Sequence, residues 1–220
     1  MKTLPLCAVV STLLATAAAA IVGGCTSYHL HVDAISRTPA VSSAQMSYTI
    51  KNKNPAIDSD SLRYREAAAR LTTALSSRGL WETPDPAEAD MVVELDYAME
   101  PAHVIYRTSE VPVYVPTASP SSSVNARQIF GTTTEQVPVV VSEKHLSVSC
   151  RENKPGAEGR PPLELWQVSA SLEDSGTSLR ESLPVLAAAV MNQLGRTTSG
   201  MIDHQLAADD PAVEFIAKGF

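Results

Sequence analysis

Aromatic side chains make up only 5% of this 220-residue chain, and its 17 Lys and Arg are outnumbered by 24 Asp and Glu. No basic stripe is interleaved with aromatics, so nucleic acid is not an expected partner and anionic lipid headgroups are disfavoured. Catalytic signatures are missing as well. There is no Gly-x-Ser-x-Gly elbow, no phosphate-binding loop and no dinucleotide fingerprint. His29 and His31 share a face if their segment is a strand, but His103, His145 and His204 follow at no metal-ligand spacing. Acid pairs occur at Asp58/Asp60, Glu94/Asp96 and Asp209/Asp210. Helix caps and solvated faces account for these before any glycosidase-type mechanism does. The expectation is a protein with no catalytic residue, no metal and no cofactor, and not an enzyme.

One long apolar run is present, from Leu4 to Val22, with Lys2 as the only charge before it. It ends in Val22-Gly23-Gly24-Cys25, which resembles the lipobox of bacterial lipoprotein precursors. The resemblance implies cleavage before Cys25, a diacylglyceryl group on its sulfur and an acylated amine. At about 0.8 kcal/mol per buried methylene, three acyl chains make a durable anchor. Thr26 follows where lipoproteins retained on the inner membrane tend to carry aspartate, so the family rule implies an outer-membrane lipoprotein facing the periplasm. Residues 1–24 are read as the signal peptide, 25–44 as a lipidated tether and 45–220 as one domain.

Removing residues 1–24 takes Lys2 and no acid, which leaves 16 basic against 24 acidic side chains, a net of −8. The same cut removes Cys7, and lipid uses Cys25, so Cys150 stands alone and no disulfide can form within the mature chain. Its place in an alternating run predicts burial.

Met46, Tyr48 and Ile50 alternate with polar residues, the pattern of a strand with one buried face. The next segment is helical, with caps at Ser59, Asp60 or Ser61 and a stop at Gly79. Its stripe is Tyr64, Ala68, Leu71 and Leu75, while Arg63, Arg70 and Arg78 lie off it and are read as solvated. Asp85-Pro86-Ala87-Glu88 is a capping turn before the alternating strand Met91 to Met99. Val111–Val115 and Val137–Val141 are apolar runs broken by proline, which bars them from the middle of a sheet. Between them, 116–127 is a Pro- and Ser-rich loop able to meet a partner.

Leu146–Cys150 and Leu163–Leu172 read as an antiparallel pair joined by 151–162. A second helix carries Leu183, Leu186, Ala187, Val190 and Leu194 up to Gly195, and Pro184 sets its regular start close to Ser182. Asp210-Pro211 opens a short helix that Gly219 closes. The fold class read from these elements is α+β: a single mixed, mainly antiparallel sheet of about four to six strands with two main helices on one face.

Several of these stretches resemble a family of uncharacterised bacterial lipoproteins that carry a domain of unknown function. They are Met46–Ile50, Ala67–Leu71 with Arg78-Gly79-Leu80, Asp85–Asp90 before Met91-Val92-Val93, Leu165-Trp166 and Leu183–Ala189. The resemblance implies helices on one face of a mixed sheet and no established catalytic residues. The function expected is therefore that of a non-enzymatic accessory or structural envelope lipoprotein, held on a membrane through Cys25 and contacting another envelope protein. The alternative is a module for a lipid or small apolar ligand, with Tyr97, Met99 and Trp166 lining a groove; an envelope hydrolase ranks below both.

Overall fold

The computed structural model describes residues 27–37, 46–116, 127–155 and 159–219. The signal segment, the motif Val22, Gly23, Gly24 and Cys25, Thr26 and the interior of the 116–127 loop lie outside the described residues.

The elements are β1 Ser27–Ser36, β2 Ser47–Asn52, α1 Leu62–Ser76, β3 Trp81–Glu82, β4 Met91–Met99, β5 His103–Pro116, β6 Arg127–Glu152, β7 Glu164–Asp174, α2 Leu179–Gln193, β8 Ile202–Ala207 and α3 Pro211–Lys218. The strands form one sheet in the order β3-β2-β4-β6-β7-β1-β8, with β5 paired to β6 outside this row. β2 runs parallel to β3 and β4. The other pairings are antiparallel.

This corrects the expected four to six strands and two main helices: the described residues hold eight strands and three helices. The extra strands were hidden for separate reasons. β3 has two residues, and β8 alternates only Ile202 and Leu206 with polar positions. β1 falls within the stretch 25–44 expected to be tether, yet it sits between β7 and β8 with Leu30, Val32 and Ala34 in the core. The domain therefore begins at least as early as Ser27, not at residue 45. Neighbouring strands supply the apolar context that the short alternation lacked on its own.

Period-two patterning separates the sheet's faces. On the covered face, Val93, Leu95, Leu146, Val148, Val168, Ala170 and Val32 meet the helices and are almost wholly buried. The open face carries Glu94, Asp96, Ser147, Ser169, Asp33 and His31. Helix α2 is the central layer, buried from Ser182 through Val190 because sheet, α1 and α3 all pack on it. Its run Ala187-Ala188-Ala189 lets these neighbours approach closely. The helix starts at Leu179, three residues before the expected Ser182, so Pro184 lies inside it.

Ser61 caps α1 by accepting from the Tyr64 N–H at 3.2 Å, and Asp210 caps α3 by accepting from Ala212 at 2.8 Å. Arg70 and Arg78 are not merely solvated. Arg70 donates to the carbonyls of Ile216 and Ala217 at 2.8 and 2.6 Å, and Arg78 donates to that of Met191 at 2.8 Å. Each guanidinium thus satisfies orphan carbonyls at a helix C-terminus, where positive charge is favoured.

Candidate functional site

The last two residues of β4 and the first of β6's sheet portion define one end of the sheet. There Met99 faces Lys144, Lys144 faces Leu172 and Leu172 faces Leu30. β2, parallel to β4, and β7 both run towards this end before the chain turns into a helix, so α1 and α2 each begin here and run side by side. The Arg180 Nε–Glu66 Oε1 contact of 2.7 Å ties their starts, and Arg78 to Met191 ties their ends.

Beyond this end, β5 and the first half of β6 continue as a two-stranded arm. Its pairing runs from His103–Val141 to Pro116–Arg127, with a register shift at Val113/Tyr114. The arm has no layer over it: Val104, Tyr106, Val113, Val137 and Val140 are all exposed. Such a ribbon is marginal by itself in water. It explains the two proline-broken apolar runs of the sequence, which lie on the two paired strands of one arm.

At the base of the arm lies a buried ion pair. The Lys144 ammonium is fully buried, pairs with the Asp174 carboxylate and donates to the Gly176 carbonyl at 2.7 Å. Asp174 also accepts from the Gly176 N–H at 2.7 Å and the Ser182 hydroxyl at 3.3 Å. One lysine thereby joins the strand leading into the arm to the turn leading into α2. Sequence patterning missed it, because a lysine between Glu143 and His145 reads as solvated.

A cleft of ≈ 580 Å³ opens beside it, between the starts of α1 and α2 and the end of β4. Leu62, Arg63, Tyr97, Met99, Leu179 and Leu183 line it. Burial lifts the Tyr97 phenol above its ordinary range, opposed by a hydrogen bond with Ser61 and the charge of Arg63. Two of the three residues expected in an apolar groove, Tyr97 and Met99, therefore meet here. Trp166 does not join them. It sits opposite Cys150 towards the other end of the sheet, 4% exposed, beside a separate cleft with Ile35 and Arg37.

The remaining sequence candidates separate. His31 pairs with Asp203 at 2.8 Å and His29 contacts Gln205 at 3.1 Å on the open face, whereas His103 approaches Glu173 at 3.6 Å at the arm base. No three His, Cys, Asp or Glu side chains converge among the described residues. Glu94 is held by Arg151 at 2.8 Å, and Asp210 serves as a cap. Asp90 accepts from the Ser47 N–H at 2.9 Å and its hydroxyl at 2.7 Å, which stitches β2 to β4 and holds the Asp90 carboxyl below its ordinary value. Asp85 organises its turn by accepting from the Ala87 N–H at 2.9 Å. Cys150 is buried beside Met91, and burial pushes its thiol up to about 12. No described helix is long and apolar enough to cross a membrane.

No family model and no curated protein matches the chain. Solved structures resemble it at low identity. A PDZ domain protein from Parabacteroides distasonis aligns over 90% of this chain at 12% identity and TM-score 0.46, and the chain spans 43% of that protein. A PelC dodecamer from Paraburkholderia phytofirmans gives 12% identity and TM-score 0.40 over 77% of this chain and 99% of that one. A DUF4136 family protein from Bacteroides thetaiotaomicron gives 10% identity and TM-score 0.40 over 74% and 91%.

Proposed function

We propose that this chain is a non-enzymatic envelope lipoprotein, anchored by lipid on Cys25, whose arm end contacts another component of the envelope. The observation that carries this reading is the arm itself. Its two strands, β5 and the first half of β6, run far past the last core residue, with apolar side chains left in water. Nothing in the packing of the domain requires such an extension, and apolar surface kept exposed marks a contact site. The anchor reading adds the place, since Cys25 stands two residues before β1. The outer membrane, facing the periplasm, is the location that the residue after Cys25 favours.

In-cell photocrosslinking from Ser109 and Glu135 tests the reading, with wild type compared against Cys25→Ala. The expected outcome is one reproducible envelope component captured by the anchored form only. Capture of nothing at native abundance counts against it.

The ≈ 580 Å³ cleft supports a second reading, a site for a small apolar ligand held by Tyr97, Met99 and Leu183. Native mass spectrometry of the purified protein decides that: a co-purifying mass lost in Leu183→Glu supports it, and an empty cleft removes it.

A further inference from the structure

We infer that the arm lies flat on the surface of the bilayer that holds the anchor, with the face bearing Val104, Tyr106 and Val140 against lipid. The inference rests on the lipid-anchor half of the proposed function and adds where the membrane touches the folded domain.

The register places the anchor beside the arm. Leu30 of β1 and Lys144 of β6 both face Leu172 of β7. Three residues further out stand Ser27 on β1 and Val141 on β6, and Val141 is the first rung of the arm, paired with His103. The chain therefore enters the sheet level with the arm's base. Cys25 and Thr26 precede Ser27, and two extended residues span at most about 7 Å. The 14 residues of β5, by contrast, extend about 45 Å. An arm so much longer than the stand-off from the membrane has to run along the surface or enter it. Entry into the hydrocarbon is excluded, because a two-stranded ribbon carries two open edges of unpaired backbone groups.

Side-chain parity then decides which face meets lipid. Arg107 shares a cleft with Ser27, His29, His31 and Glu173, so the face carrying His103, Ile105 and Arg107 turns towards the ends of β1 and β7. The opposite face carries Val104, Tyr106, Pro138 and Val140. It continues onto Met99 and Leu62 at the cleft mouth, which are 38% and 82% exposed. Of the eleven large apolar side chains exposed among the described residues, five lie on this face or at this mouth, and Val113 and Val137 lie on the other face of the arm. Tyrosine suits such a surface, with its ring among acyl chains and its hydroxyl among headgroups. The chain's net negative charge directs it to zwitterionic rather than anionic lipid.

The test uses the full mature lipoprotein in vesicles of phosphatidylethanolamine and phosphatidylcholine, with an environment-sensitive fluorophore on Tyr106→Cys or Val140→Cys. Cys150 is buried and stays unlabelled in the folded protein. Glu82→Cys, at the far end of the sheet, is the control. Labels at 106 and 140 are expected to shift to the blue and to be quenched by headgroup-level spin-labelled lipid at least threefold more than the label at 82. A label at 106 that stays in water on acylated, vesicle-bound protein overturns the inference alone. A label that is buried without lipid quenching, in proportion to protein density, overturns it in favour of a second copy of the chain. An intact mass without acyl chains removes the anchor reading, and this inference with it.

Discussion

Excising the arm tests whether it belongs to the folding unit at all. Because His103 and Val141 face each other, Val104–Val140 can be replaced by Asn-Gly, a two-residue turn that suits an antiparallel hairpin. Val141 and Ser142, 1% and 3% exposed, are retained, as is the Lys144–Asp174 pair. None of the described side chains removed is buried: Ile105, Val111, Pro112 and Val139 are half-buried and the others exposed. The hydrophobic loss to the body is therefore close to zero. Shortening the connection by about four doublings favours the body by up to about 2.5 kcal/mol. At roughly 2–4 °C per kcal/mol for a domain of this size, Tm should stay level or rise by up to about 10 °C. Differential scanning calorimetry of the excised and intact proteins reads this directly. A fall of more than about 5 °C refutes the reasoning, since it means that the arm stabilises the body through contacts the architecture does not require.

The buried ion pair predicts an asymmetry: Asp174→Asn strands Lys144 and should cost about 3–5 kcal/mol, whereas Lys144→Met should be neutral or stabilising. Equal losses in urea unfolding would refute this. Cys150 predicts alkaline lability. Burial pushes its thiol up to about 12 from an ordinary 9.0, so its contribution is complete below pH 9 and is lost as pH rises towards 12. The slope is at most about 1.4 kcal/mol per pH unit, measurable as a urea midpoint that falls between pH 9 and 10.5 and falls less in Cys150→Ala. Arg70→Ala removes two bonds to the end of α3 and should cost about 1–2 kcal/mol. Amide exchange over 213–219 should quicken while β4 stays protected, and unchanged exchange in α3 would deny the capping role.

The parts of the fold legible in the sequence were those in which one stretch carries its whole signal. Ser61 and Gly79 bound α1, Asp210-Pro211 and Gly219 bound α3, and the alternations of β4 and β7 show their buried faces locally. The rest depends on partners distant in the chain. Tyr28 to Val32 is an ordinary alternation until β7 and β8 flank it, and Lys144 is an ordinary surface lysine until Asp174 arrives from 30 residues away. For the same reason Tyr97 and Met99 could be placed in a groove from their shared face, but Trp166 could not be excluded from it. Parity along β7 puts Trp166 on the covered face, and only register shows that it lies at the other end. The site was legible as residue types, not as a place, because the arm end joins the start of β1, the β4–β6 connection and two helix starts.

Pro112 and Pro138 decide how the arm can be used. Each lies in a ladder that continues past it, Pro112 facing Thr132 and Pro138 facing Tyr106. Proline has no N–H, so it is tolerated in a ladder where the missing donor would have pointed away from the partner strand. The free edge of β5 is then interrupted at Pro112 and that of β6 at Pro138. Interrupted edges resist the addition of a further strand, which is how exposed strands avoid pairing with other chains. An arm of this length can therefore stand in water without templating aggregation. Its contacts have to come through the faces of the ribbon instead, where Val104, Tyr106 and Val140 form the apolar surface and Arg107 and His103 turn back to the body. Flat seating on a lipid surface uses one face and neither edge, and the arm's proline-broken edges fit that use.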